Sequence, residues 1–555
     1  MDHDLLTLWN RVESGNVKVD ELAERLFLSS KQTRRKLKQW EETGWLTFQS
    51  GRGRGNTSSL KWLRNVEQEF EQDFFKALEK EPIEHVSKLL LQDWSVETKQ
   101  RLMTAFQSKL GFHQEGQDSL IIPRFYRFLT AHPLEAADVH SANIVANLYN
   151  RLLTVNADNT LTPELAHTWE FSETSLLLYL RKDVAFHDGS IMKAEDVVHS
   201  LQRMKEDIHY KKLWEPVTKI STPGPLIVKL DFPAGCTYIL QMLGVLAASI
   251  FKDVNGKLLG TGGFYLAENS VEKTVFCAFK QFFGHRPLLD RVEFIQMPKE
   301  FQVVYHGGQE THQVETFKVE SDSGFGIVIM NPYRESDMAR KEVRDYVHMV
   351  IARHRHELKD VNPRIKGNNE GCLIGQSRTY TMPEIPKPFI SKPLKIGWVN
   401  YSNDTAHWVK EKLEQAGFTV EMEEVPFKDS IYDPERRLNN DLFIHGEMFE
   451  LNQCFSYFFF LVNRFSPLNF LAERDEYLKE RLETYENLPF KNWNENHLKI
   501  EQYLRDESLC IPLYYVKRQI PFSINLMNVE IKHFGYVDLT RLWVKHGDGS
   551  HVLET

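Results

Sequence analysis

A chain of 555 residues is too long for one ordinary hydrophobic core, so it divides into at least two domains, each with ample length to bury its apolar faces. With 42% apolar and 26% charged residues it is globular in composition, which excludes a fibrous or largely disordered protein. Acidic residues at the start (Asp2 and Asp4), no continuous apolar segment after them, and five scattered cysteines (Cys236, Cys277, Cys372, Cys454, Cys510) without a C-x-x-C pair argue against export; the expected location is the cytoplasm.

Three helical patterns open the chain. Leu5, Leu8, Trp9 and Val12 follow i, i+3, i+4, i+7 spacing up to Gly15, and Val19, Leu22, Ala23 and Leu26 repeat it. The third helix is expected from Ser29, an N-cap, to Gly44, a C′ residue, with Thr33, Leu37 and Trp40 inward. Its other side carries Lys31, Arg34, Arg35 and Lys38, again at i, i+3, i+4 and i+7, so four like charges share one face. A merely solvated face is one account. Two short helices closely joined, the second of them basic, are also the pieces of a helix-turn-helix, whose second helix enters the major groove. On that reading Lys31, Gln32 and Arg35 reach base edges, while Arg34 and Lys38 hold phosphates.

Beyond Gly44 the pattern changes to a hairpin, with one strand at 45–48, a second around 59–63, and the tip Gly51-Arg52-Gly53-Arg54-Gly55-Asn56 between them. Glycines allow close approach to a phosphate backbone, and Arg52 and Arg54 would act in a wing at a minor groove or phosphates. No G-K-[ST] follows, so a nucleotide-binding loop is not supported. Between residues 31 and 64 there are nine bases and two acids, in a chain whose overall charge is -9.

The ELA..L..S...R..L..W...GWL and GRGRG..S.L elements of this stretch resemble the N-terminal domain of the SgrR family of transcriptional regulators. The resemblance implies a winged helix that binds promoter DNA. Residues 65–113 read as helices with Val66, Phe70, Phe74 and Leu78 on one stripe, expected as a packed linker; pairing of two chains into a homodimer is an alternative use.

From about Asp118 short apolar strands alternate with helical stretches, which calls for α/β layers. The uncharged run 232–251 approaches membrane-spanning length, but Pro233, Gly235 and Gln241 interrupt it, so a buried helix with an approach loop is expected, as is core for 457–462. The stretches LTPELAHTW (161–169), LYLRKDVAFHDGSIMKAEDVVHSLQR (178–203), GTGGFYL (260–266), GHRPLLDRVEF (284–294) and IVIMNPYRESDMARKEVRDYVHMVIARHR (327–355) resemble the family 5 extracellular solute-binding proteins, the peptide- and nickel-binding components of ABC importers. That resemblance implies two α/β lobes joined by crossing strands, with ligand in the cleft between them. IPLYY (511–515) and FGYVDLTRLWV (534–544) are similar to the family's closing strands.

Departures bear on the ligand. The usual G-T-G-P-Y of the family stands here as Gly260-Thr261-Gly262-Gly263-Phe264, and the acidic residue with which its members grip a peptide ammonium is out of register in HGEMFELNQC (445–454), where Glu447 or Glu450 could serve. Tyr401 and Asn403 follow the expected strand 394–399, at a place where strand ends face ligand; a buried tyrosine satisfying its own hydroxyl is the competing account.

No G-x-S-x-G elbow, H-E-x-x-H, Walker loop or paired cysteine ligands occur, His354 and His356 point apart on a predicted helix, and His187-Asp188-Gly189 reads as a turn. No enzyme activity, cofactor, metal site or membrane partner is expected. The expected fold is α/β: a two-lobed, type II periplasmic-binding-protein-like domain with an N-terminal winged helix-turn-helix. The winged helix would occupy 1–64, the helical linker 65–113 and the sensor 114–555, with lobe I at about 114–320 and 510–555 and lobe II at about 321–509. The expected partners are double-stranded DNA and a small-molecule solute: a sugar phosphate, a peptide or another. The control of transporter or sugar-phosphate-stress genes is the expected biology, and a substrate-binding component of an ABC transporter is the alternative.

Overall fold

Asp2 starts the first helix in the computed structural model, its carboxylate accepting from the backbone N–H of Asp4 and Leu5. The residues described are 1–51, 57–114, 116–124, 126–298, 316–362, 365–368, 371–372, 382–450, 452–523, 526–529, 531–532 and 536–545. They fall into two compact units: Met1–Arg127 with Leu266–Cys277 and Leu289–Val314, and Phe128–Tyr265 with Ala278–Leu288 and Glu315–Thr555.

In the first unit, α1 (His3–Arg11), α2 (Val19–Arg25) and α3 (Ser30–Glu42) occur where the 3.6-residue spacing requires them. Ser29 and Gln32 close a capping box at the start of α3, and Gly44, at φ +77°, takes the left-handed turn after Thr43 that ends it. The hairpin follows as β2 (Leu46–Gln49) and β3 (Ser58–Trp62), with Phe48 opposite Leu60. A third strand, β1 (Gly15–Val17), lies on the other side of β3, giving the order β1-β3-β2. Three residues show no period, so β1 escapes a sequence reading; its long-range pairing creates it.

Helices α4 (Val66–Lys80), α5 (Ile83–Leu89) and α6 (Val96–Gln107) bury the Val66, Phe70 and Phe74 stripe, while Leu78 is only partly buried. That stripe shares one core with Leu6, Leu37 and Trp40 of the preceding helices, so the segment expected as a linker packs into the same unit as α1–α3. Each such side chain, fully buried, contributes about 1.5–3 kcal/mol relative to exposure. A five-stranded sheet completes the unit, in the order Phe264–Asn269, Lys273–Ala278, Arg291–Gln296, Asp118–Arg124, Gly111–Gln114.

The second unit contains a four-stranded antiparallel sheet (Lys219–Gly224, Ile227–Asp231, Ser175–Leu180, Ala166–Phe171) and a six-stranded mixed one. The latter runs Ile365–Asn368, Cys510–Ser523, Thr316–Met330, Leu442–Met448, Leu394–Trp398, Val420–Glu424, and its last three strands are parallel. The strand at 510, expected with lobe I, is thus hydrogen-bonded to Thr316–Met330. Helices Lys341–His354 and Asn403–Gln415 cover this sheet, packing Val347, Ile351 and Val409 against Ile396 and Ile444. The architecture is mixed α/β, as layered strands and helices require.

Gly260 and Gly262 run against Asn147 and Leu148 so closely that a Cβ would lie 2.0 Å from Leu148 O and 2.5 Å from Asn147 O. His187 sits in the adjoining turn, its Nδ1 accepting from Gly260 N–H and its Nε2 lying 3.2 Å from Gly262 O, which is a bracing role. The run 232–251 folds into the short helix Ile239–Met242 and a 3-10 turn, and among the described residues no helix is long and apolar enough to cross a membrane. The aromatic run 457–462 lies on the helix Gln453–Val462 with Tyr457, Phe458 and Phe460 buried.

Candidate functional site

The sequence-derived positions form two separate groups, each within its own unit. On α3, Thr33, Leu37 and Trp40 are buried while Lys31, Gln32, Arg34, Arg35 and Lys38 are exposed. Lys31, Arg34 and Arg35 have no ion-pair partner among the described residues, and Lys38 has only the solvated Glu42, 3.8 Å away. Gln32 differs from its neighbours. Its side-chain oxygen accepts from Ser29 N–H and hydroxyl, so half of its amide serves the helix cap and only the NH2 group is left for a ligand. Arg52 and Arg54 lie outside the described residues.

The helix is held by one carboxylate that the sequence reading passed over. Asp2 accepts from the Trp40 indole at 2.9 Å and pairs with Lys36 at 3.4 Å, while Lys36 also reaches Asp4 at 2.7 Å. Burial acts to raise the Asp2 pKa, but Trp40, Lys36 and the backbone N–H of Leu5 outweigh it and hold the carboxyl below its ordinary value. Lys36 is therefore turned inward as an anchor, and the cations left to solvent are those on the opposite stripe. Asp2 has no periodic signature; only the chain start being an N-cap for α1 hints at it.

In the second unit, the parallel pairing of Leu394–Trp398 with Leu442–Met448 brings the turn Asn400–Ser402 beside the end of the latter strand. Tyr401 Oη lies 3.3 Å from His445 Nδ1, and His445 Nε2 lies 3.1 Å from Glu447 Oε2. The other carboxylate oxygen of Glu447 accepts from Met448 N–H at 2.9 Å. His445 and Glu447, two apart on a strand, share a face. Gly446 stands where a Cβ would approach the Tyr401 ring to 3.3 Å, so glycine permits the contact. Phe443 and Phe460 stack on the imidazole. Although Tyr401 is 43% exposed, desolvation about its hydroxyl and then the Glu447 carboxylate push the phenol above its ordinary value.

Two of the three anticipated ligand residues, Tyr401 and Glu447, are thus joined through His445. Asn403 is not part of this group: it begins the next helix and its amide reaches Asp404 at 3.4 Å. His445 was missed although it stands in the quoted segment, because only the strand period and its neighbour Glu447 mark it. The cluster offers a carboxylate, an imidazole and a phenol beside aromatic walls, which is a vocabulary of hydrogen-bonded recognition. Among the described residues no group of three or more His, Cys, Asp or Glu is arranged to hold a metal.

Comparison with known proteins matches residues 4–116 to the family described as "Sugar transport-related sRNA regulator N-term" and residues 160–305 to "Bacterial extracellular solute-binding proteins, family 5 Middle". An HTH-type transcriptional regulator SgrR of Photorhabdus laumondii is 23% identical, over 99% of both chains. The regulator of that name from Yersinia enterocolitica is 26% identical over 58% of this chain and 59% of its own. Solved structures share the fold. The periplasmic binding protein DppA of Helicobacter pylori, in complex with the peptide STSA, aligns over 77% of this chain and 98% of its own with a TM-score of 0.65 at 15% identity. NikA of Brucella suis, in complex with Fe(III)-EDTA, covers 77% of this chain and 100% of its own with a TM-score of 0.62 at 14% identity.

Proposed function

We propose that this chain is a DNA-binding transcriptional regulator of the SgrR family with a solute-binding-like domain, and that a small solute in the cytoplasm controls how α3 meets promoter DNA. The observation that carries the DNA half is α3 itself: Lys31, Arg34, Arg35 and Lys38 exposed on one stripe while the opposite stripe is packed and pinned through Trp40 to Asp2. Exposed cations on a helix of this motif, three of them without an ion-pair partner among the described residues, suit phosphates and base edges. Arg35 and Lys31 are the base readers, Arg34 and Lys38 the phosphate contacts, and Gln32 contributes at most its NH2 group. Arg52 and Arg54, which follow β2 in the sequence, would add to the same positive charge.

The working division is a winged helix over 1–64, helices over 65–113 and the sensor over 114–555. In the sensor, Tyr401, His445 and Glu447 contact the solute. A solute shifts DNA binding only by its difference in affinity for two sensor geometries, so it must touch groups that move apart or together. Sugar phosphates, peptides and metal chelates are the solute classes to screen, and transporter or sugar-phosphate-stress genes are the targets to test. Melting of the full chain against that panel identifies binders, because a ligand of the native form raises its stability. Fluorescence anisotropy on duplex DNA with and without the binder then decides the coupling. Identical DNA isotherms at saturating solute remove the sensing role, and no salt-dependent DNA binding at all removes the DNA role.

A further inference from the structure

The turn between α2 and α3 contains a residue that neither packing nor backbone preference explains. Phe27 has φ +55° and is 89% exposed, more than any other large apolar side chain described. A left-handed conformation suits Gly or Asn and strains a bulky L-residue, and an aromatic ring in water gains nothing from burial. The turn is otherwise tightly built: Phe27 N–H donates to Glu24 O at 3.1 Å, Leu28 N–H to Ala23 O at 2.9 Å, and the Ser30 hydroxyl to Asp20 at 2.7 Å. Leu28 turns inward onto the core. The geometry therefore holds Phe27 outward, two residues before the Ser29 cap of the helix that carries Lys31 and Arg34.

We infer that Phe27 packs on the sugar–phosphate backbone of duplex DNA, its ring against a deoxyribose next to a phosphate held by Arg34. A polyanion is the partner that the neighbouring cations select, and deoxyribose is the apolar surface that alternates with its charges. The contact rests on the DNA-reading face proposed above, and it adds affinity without reading sequence.

The test uses the full chain, a duplex that the unaltered chain enriches from a randomised library, and a scrambled duplex of the same composition. Phe27→Asn and Phe27→Gly relieve the backbone strain, so both variants melt no lower than the unaltered chain. Both bind the two duplexes about three- to tenfold more weakly, with the preference between duplexes unchanged, while Phe27→Leu stays within about twofold. The inference is overturned if Phe27→Asn binds both duplexes as the unaltered chain does, if the loss is confined to the enriched duplex, or if Phe27→Leu loses as much as Phe27→Asn. If the unaltered chain enriches no duplex, the DNA-reading face itself fails, which is a separate result.

Discussion

Helix α3 and the Tyr401–His445–Glu447 cluster are both candidate recognition surfaces, yet they are built by opposite means. Every group on the α3 face lies within eight residues of its neighbours, and one buried stripe suffices to orient the rest. The second cluster joins a turn at 401 to a strand beginning at 442, and its geometry depends on which strands pair and in what register. Surfaces of the first kind are written locally and are sensitive to the stability of one helix. Those of the second kind exist only when a whole sheet has formed.

The contrast gives a ranked set of outcomes. Trp40→Ala removes a fully buried ring and the indole that holds Asp2, and costs the first unit about 3–5 kcal/mol. Denaturant unfolding followed with a probe in each unit shows the loss in the first, with DNA binding falling alongside it. An unmoved first transition would mean that the helix is held by something else.

Acidification acts on the other unit. Burial holds His348 and His497 neutral, with pKa values pulled down to about 3 from the ordinary 6.5, so the unfolded chain takes up protons that the folded one refuses. Their stabilisation is complete above about pH 6.5 and is lost as pH falls toward 3, amounting to about 2 kcal/mol per histidine between pH 7 and 5. The folded pKa of Asp2 is lowered too, but from an ordinary carboxylate value of 3.8, so its contribution is present above that pH and is lost only as the pH falls below it. The second unit is therefore expected to melt earlier at pH 5 while the first holds, and His348→Gln with His497→Gln should flatten the difference.

Arg35→Ala should weaken binding to the enriched duplex by about 1–3 kcal/mol and relax preference at one base pair, whereas Lys38→Ala should weaken binding on all sequences and lower the salt dependence by about one counterion. Anisotropy titrations at two salt concentrations separate the two. Unchanged affinity in both variants would return α3 to a solvated face. Tyr401→Phe removes one hydrogen bond from the sensor cluster and should reduce affinity for a bound solute by about 1 kcal/mol, read as a smaller rise in melting temperature, with DNA binding in the absence of solute unaltered.

Much of the first unit is legible in the amino-acid sequence. The three helices, the Ser29 cap, the Gly44 stop and the hairpin occur where periodicity and turn chemistry place them. Gln32 shows the limit of that reading: an exposed amide near a helix start looks available, but the same position is the reciprocal partner of the cap. Lys36 shows it again, since counting charge along 31–64 cannot tell an outward cation from one folded back onto Asp2 and Asp4. In the second unit Tyr401 and Glu447 were anticipated singly; nothing in their spacing joins them, and Asn403, equally plausible by position, turns out to begin a helix.

Helical period, capping residues and the run of cations act over a few positions along the chain, so the amino-acid order is enough to set the exposed cationic stripe and its anchoring side. The company kept by Asp2, the pairing of β1 with β3, the joining of α4–α6 to the first core and the meeting of Tyr401 with His445 depend on contacts between distant segments. Such contacts form only when burial of apolar surface outweighs the entropy of closing long loops, a balance struck by the folded whole.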